Sequence, residues 1–576
     1  MNLEREAKMY LKSLVTVPDV HGKIVQRAKG NTVYVYYEIG RDYDPSRQFT
    51  IPKRVTIGKL SSDASDKMFP NQNFLKYFPD SVKENDVLAE RSCCLRAGTF
   101  MVLQWISEQM KLQDFLLKYF NLKDTGLILD LASYSIITES NVAQYYPDYA
   151  YDHPLFTPDM HIYSDSHISD LLERITQEEI TGFLNDWNKK HNKADGIYIS
   201  YDSTNKNCQA GDIEMVEFGH PKVDLGNPIF NLSIAYDMKN RDPLFYEDYL
   251  GSINDVSQLR FMLNKAKSYG YEKIGFILDR GYFSEDNIKF MDDCGYNFVI
   301  MAKGLSSLIS GLIDARSGSF ENKRACLIEK YNDYGISFRQ PLYAQDEKDR
   351  SIHLYYNDYR AYTEKALLDK HLAGLKKSLQ KHLGTSKPFG KAYTDYYLLY
   401  FDNEKKLTSF RERQDVVENA RSHCGYFAII TSEEMTAEEA LDLYKSRDAS
   451  EKLFLQDKSF LGDNCLRVAS ETAAEAKIFI EFIALIMRCK MYVYLKNRMI
   501  EDDKKSNFMT VPAAIRELEK IEMSRHLDSI YRQDHAVTAT QKAILGAFGL
   551  NEDYVSDKSK AISKILSDVA DNFREE

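Results

Sequence analysis

Between residues 196 and 303 the chain alternates short apolar runs with amphipathic stretches in an order that few folds accommodate. GIYISYD (Gly196 to Asp202) has the length and composition of a strand and ends on an acid. NLSIAYD (Asn231 to Asp237) and PLFYEDYLG (Pro243 to Gly251) are two further strand candidates. Asp255 to Tyr269 has helical spacing. KIGFILD (Lys273 to Asp279) is an apolar run suited to a strand buried on both faces, again ending on an acid. Ser284 follows as an N-cap with Glu285 and Asp286 in the first turn, and YNFVIMAK (Tyr296 to Lys303) closes the series as another buried strand.

Three strands, a helix, then strand, helix, strand is the order of a ribonuclease-H-like catalytic core, so the expected class is α/β. Residues 195–303 form its first part on this reading. Residues 304–424 interrupt it as an inserted mixed α/β region. The core resumes over 425–465, where GYFAIIT (Gly425 to Thr431) returns to the sheet and a long helix runs from about Thr436 to Phe460. The flanks differ from the core. Residues 1–90 form a small basic β-rich region, with TVYVYYEIG and KRVTIGKL as strands. Residues 91–194 read as helical, and so do residues 466–576.

A chain of 576 residues exceeds one compact core and implies several domains. Its net charge of −11 excludes a protein that is basic all over, but nucleic-acid binding depends on local charge. The first 59 residues carry 11 Lys and Arg against 6 Asp and Glu. The eight cysteines form no CxxC pair, which argues against a zinc ribbon or a disulfide framework and for a reducing, cytoplasmic setting. The most apolar stretch, Ile478 to Leu495, contains Glu481, Arg488 and Lys490, which suits a buried helix rather than a membrane span.

Asp202 and Asp279 are the first chemical candidates. Transfer of a phosphoryl group on DNA uses two divalent metal ions held by a few carboxylates, and rigid strand ends are good places to hold them. An aspartate at a strand end is also a common turn former, so these two alone leave both readings open. A third element narrows the choice. Tyr444, Arg447, Glu451 and Lys458 fall at about 0°, 300°, 340° and 320° around a helix, at about 100° per residue. One stripe thus offers a metal-binding acid between two phosphate-binding cations, beside a phenol. The same stripe also fits a solvated charged face.

This spacing, Y-x2-R-x3-E-x6-K, resembles the signature of IS4-type DDE transposases. YDST (Tyr201 to Thr204) resembles the family's first acid motif, and DRGYFS (Asp279 to Ser284) its second. GSIND (Gly251 to Asp255) resembles the stretch between them in an altered register. The β-rich start and helical tail look like the IS1634-type subgroup. The resemblance implies a DNA transposase of an insertion sequence that cuts at terminal inverted repeats and joins the 3′ ends to target DNA. It implies Asp202, Asp279 and Glu451 as catalytic metal ligands for two Mg²⁺ ions, with Mn²⁺ as a substitute. Tyr444, Arg447 and Lys458 would hold DNA phosphates, and Arg280 either touches backbone or pairs with a local carboxylate. Double-stranded DNA and a second copy of the chain, as a homodimer on DNA, are the implied partners, with no membrane. Two rivals keep the same fold: another metal nuclease, and a transposase-derived DNA-binding protein without activity.

Overall fold

The computed structural model describes residues 14–78, 91–191, 197–208, 228–302, 306–447 and 465–572 with short interruptions, together with Tyr10, Ile213, Val216 and Glu217. Among these, ten strands form the largest sheet. They are β1 (Ile197–Cys208), β2 (Ile229–Asp237), β3 (Asp242–Leu250), β4 (Ile274–Leu278), β5 (Asn297–Met301), β6 (Leu327–Ile328), β7 (Asp333–Gln340), β8 (Arg350–Tyr356), β9 (Tyr426–Thr431) and β10 (Cys465–Leu466). The spatial order is β6-β7-β8-β9-β5-β4-β1-β2-β3, with β10 beside β1. Strands β1, β4 and β5 are parallel neighbours, and β2 and β3 extend the sheet as an antiparallel meander.

The sequence explains the centre of this sheet. Every residue of β4, IGFIL, is buried, because both faces are covered. Successive side chains point to opposite faces. Phe276 and Leu278 join the large core that includes Phe479 and Ile483, while Ile277 packs with Val299, Leu441 and Tyr444. Gly275 stands opposite Tyr198 on β1, and a Cβ there would lie 2.2 Å from the tyrosine ring.

The helices that matter below are α1 (Gly98–Met110), α2 (Leu122–Thr138), α3 (Asp165–Arg174), α4 (Gln177–His191), α5 (Asp255–Ser268), α6 (Glu285–Asp293), α7 (Asp358–Lys381), α8 (Ala437–Ser446), α9 (Glu471–Glu501) and α10 (Val511–Leu518). The apolar run at Phe100 to Phe120 is not one helix, because Lys111 takes a left-handed conformation (φ 58°) and ends α1. Helix α9 outruns its apolar stretch at both ends, since Ser470 caps its start by accepting from the Ala473 N–H. It is the central buried helix of the molecule. Among the described residues, no helix is long and apolar enough to cross a membrane.

Residues 304–424 divide in two. Strands β6 to β8 continue the large sheet through the β8–β9 pairing. Helix α7 and the hairpin Tyr397–Phe401/Leu407–Glu412 share a separate small core around Leu372, Leu379, Tyr397 and Leu407. The N-terminal strands between Val15 and Pro70 form their own five-stranded sheet. Cys94–Arg96 pairs with Glu522–Arg525, which ties the first helical region to the C-terminal one.

A buried ionic contact reinforces that tie. His153 follows the helix Tyr146–Asp152, and its Nε2 donates to Glu519 (2.8 Å) just after α10. Its Nδ1 lies 2.6 Å from Asp152, and Tyr149 stacks on the ring. Burial alone would push the imidazole pKa down, but the hydrogen bonds to Asp152 and Glu519 outweigh it and raise it to about 9. A raised folded-state pKa gives stability that is complete below the ordinary value of 6.5 and lost as pH rises through about 9. The expected size is roughly 3 kcal/mol at most, from about 1.4 kcal/mol per unit. Wild type should therefore exceed His153→Gln in unfolding free energy most at pH near 6, with the gap closing towards pH 9. A gap independent of pH would show that the charge of His153 contributes nothing.

Candidate functional site

Asp202 does not end its strand, contrary to the sequence expectation. β1 continues to Cys208, because antiparallel pairing with β2 holds the polar run Ser203 to Asn207 in the sheet. Asp202 stands opposite Ile234, and Asn207 opposite Ile229. The end of β4 falls where expected. Leu278 pairs with Tyr201, so the next residues on these two parallel strands are Asp279 and Asp202.

The loop after Asp279 is fixed from within. The Tyr282 N–H donates to the Asp279 carbonyl (3.0 Å), which closes a tight turn over Arg280–Tyr282. Tyr282 is buried, and Asn287 Nδ2 donates to its carbonyl (2.9 Å). Ser284 caps α6 as expected, accepting from the Asn287 N–H (3.2 Å). The Asp279 carboxylate is thereby held on a rigid turn yet remains 38% exposed.

Helix α8 covers the neighbouring face of the sheet. A reciprocal cap starts it: Thr436 accepts from the Glu439 N–H (3.2 Å), and the Thr436 N–H donates to the Glu439 carboxylate (2.8 Å). Leu441 and Tyr444 pack on Ile277 and Val299. Arg447 closes the helix, its N–H donating to the Tyr444 carbonyl. Its guanidinium lies 5.4 Å from the centre of the Tyr444 ring and 3.2 Å from Asp279 Oδ1. Only 9% of Arg447 is exposed, so this charge is held by neighbours rather than by water.

The structure thus brings together Asp279, Tyr444 and Arg447, and sets Asp202 beside Asp279 in strand register. The helix expected from about Thr436 to Phe460 ends at Ser446, with Arg447 as its C-cap rather than on its face; Glu451 and Lys458 lie outside the described residues. Among the described residues, no group of three metal-binding side chains occurs. What is present is one carboxylate on a rigid turn, partly open to solvent and paired with Arg447.

The contact between Arg447 and Asp279 was not legible in sequence, since nothing local links positions so far apart. A second tie had a signal. Lys206 on β1 is fully buried and donates to Glu481 on α9 (3.1 Å), which also accepts from Asn141 after α2 (3.0 Å). An acid in the middle of an apolar helix requires a partner, and Glu481 was visible as one.

Comparison with known proteins gives one family match. Residues 212–487 match the family model described as transposase DDE domain. The match supports a DDE transposase. The matched span contains Asp279, Tyr444, Arg447, Glu451 and Lys458, and Asp202 precedes it. No curated protein matches the chain. Among solved structures, a piggyBac transposase in a synaptic complex with hairpin DNA is similar at a TM-score of 0.36 and 8% identity, over 81% of this chain and 82% of that one.

Proposed function

We propose that the chain is an IS4-type DDE transposase, of the IS1634-like subgroup, that cuts DNA at terminal inverted repeats and joins the freed 3′ ends to target DNA. The observation that carries this reading is the pairing of Arg447 with Asp279 beside the register position of Asp202. A cation able to bind phosphate and an acid able to bind metal thus lie in one place, where two-metal phosphodiester cleavage would use both. The order β3-β2-β1-β4-β5 supports a ribonuclease-H-like core.

On this reading Asp202, Asp279 and Glu451 hold two Mg²⁺ ions, for which Mn²⁺ substitutes. When bound, the ions would activate the attacking oxygen and stabilise the departing one. Asp279 supplies an oxygen ligand from a turn that does not need to reorganise. Arg447, placed against Tyr444, turns its fork to a phosphate oxygen when DNA enters. Tyr444 and Lys458 hold the same strand. Two copies of the chain synapse two ends on DNA, in a prokaryotic cytoplasm.

A supercoiled plasmid carrying the DNA that flanks this reading frame, incubated with the full chain and Mg²⁺, tests the reading. Excision of the flanked segment is the expected result. Glu451→Gln should keep DNA binding and remove cleavage, and full cleavage by that variant would refute the metal-site assignment. Nicking that ignores the flanking repeats would replace the transposase by a general nuclease.

A further inference from the structure

Away from the acids, a cleft of about 520 Å³ opens between α1, α4, α9 and the turn joining β2 to β3. Its charges are lopsided in a chain of net charge −11. Lys190 and Lys490 line it with His191, against one acid, Asp242. Asp242 is buried and holds two of them: Lys490 Nζ at 2.8 Å and His191 Nε2 at 3.4 Å. Lys190 is different. Its Nζ donates to the Met110 carbonyl (3.2 Å) and sits 5.2 Å from the Trp187 ring centre, with no carboxylate in contact among the described residues. Burial lowers its pKa, and Lys490 and Lys111 add repulsion against the pull of Asp242. Ammonium groups gathered in one recess repel each other, a cost that an anion filling the recess would offset.

The transposase reading, rather than the position of the cleft alone, supplies what that anion is attached to. The Met238 N–H donates to the Tyr198 carbonyl, so the β2–β3 turn lies beside the start of β1, four residues before Asp202. That is on the order of 13 Å along the strand, at about 3.3 Å per residue.

We propose that this cleft binds a backbone phosphate of DNA, with Lys190 and Lys490 as its ligands, as an anchor separate from the cutting site. The proposal rests on the transposase reading for its partner. Asp242 serves as the brace: it fixes Lys490 at the mouth and leaves Lys190 to meet the phosphate.

The test is fluorescence-polarisation titration of the full chain with a short labelled duplex of unrelated sequence, without divalent metal, between about 50 and 200 mM salt. Lys190→Gln and Lys490→Gln should each weaken binding about 3- to 10-fold at the lower salt and reduce the salt slope by about one. Lys189→Gln, whose lysine is exposed and paired with Asp186, should leave the slope unchanged. Unfolding midpoints of all three variants separate a lost contact from a lost fold. In a second arm, inorganic phosphate should raise the melting temperature of wild type more than that of Lys190→Gln. Stabilisation by phosphate that depends on Lys190, with duplex binding unaffected, would assign the cleft to a free anion and overturn the DNA assignment. Unchanged duplex binding and unchanged phosphate response would overturn the site altogether. If wild type itself bound no duplex, the transposase reading would fail instead.

Discussion

Asp279→Asn is expected to lower metal-dependent strand cleavage by at least about 1,000-fold while leaving the chain folded. The amide keeps the shape of the carboxylate but carries no charge, and a hard divalent ion binds charged oxygen far better than an amide. Loss of several kcal/mol of transition-state stabilisation, at about 1.36 kcal/mol per tenfold, gives that factor. The cost to the fold is smaller. Arg447 is mostly buried and loses its anionic partner, but the Asp279 side chain is 38% exposed, so solvent screening limits the pair to about 1 kcal/mol. Cleavage of a supercoiled plasmid and a urea unfolding curve, measured on the same preparation, separate the two effects. Cleavage within tenfold of wild type would remove Asp279 from the metal site.

Glu481→Ala should have the largest effect on stability. Lys206 has no exposed side-chain surface, and Glu481 is 4% exposed. Removing one partner of a buried pair leaves a charge in a low-dielectric interior, at a cost of about 3–5 kcal/mol. Asn141 loses its acceptor at the same time. The contact ties β1 to α9 only four positions beyond Asp202, so the variant should also lose cleavage although Glu481 lies away from the reacting strand. Guanidinium unfolding of Glu481→Ala and of the double variant Lys206→Met/Glu481→Met decides it. The double variant should recover most of the loss, because no lone charge remains buried. If Glu481→Ala unfolded like wild type, the pair would not secure β1.

Local patterns carried the centre of the fold. The run IGFIL suited a strand covered on both faces, and Ser284 followed by Glu285 and Asp286 suited a helix start; both are what the structure shows. The polar stretch after Asp202 had no such signature. Ser203, Thr204, Asn205, Lys206 and Asn207 are strand residues because β2 pairs with them, and that pairing is a property of the sheet. The same holds at Lys111, where a left-handed residue splits a continuous apolar pattern into two helices.

Sequence by itself determined the order of strands and helices from 196 to 303, and Asp202 and Asp279 as acids on apolar runs. Those features depend on residues within a few positions of each other, where periodicity and capping act. Tertiary structure alone decided that Asp279 and Asp202 stand side by side, that Arg447 reaches across from α8 to Asp279, and that Lys206 meets Glu481 inside the core. Each of these joins distant segments: parallel strand register sets the two aspartates, and the desolvation cost of a buried charge selects the Arg447 and Lys206 contacts once the sheet and its covering helices have come together.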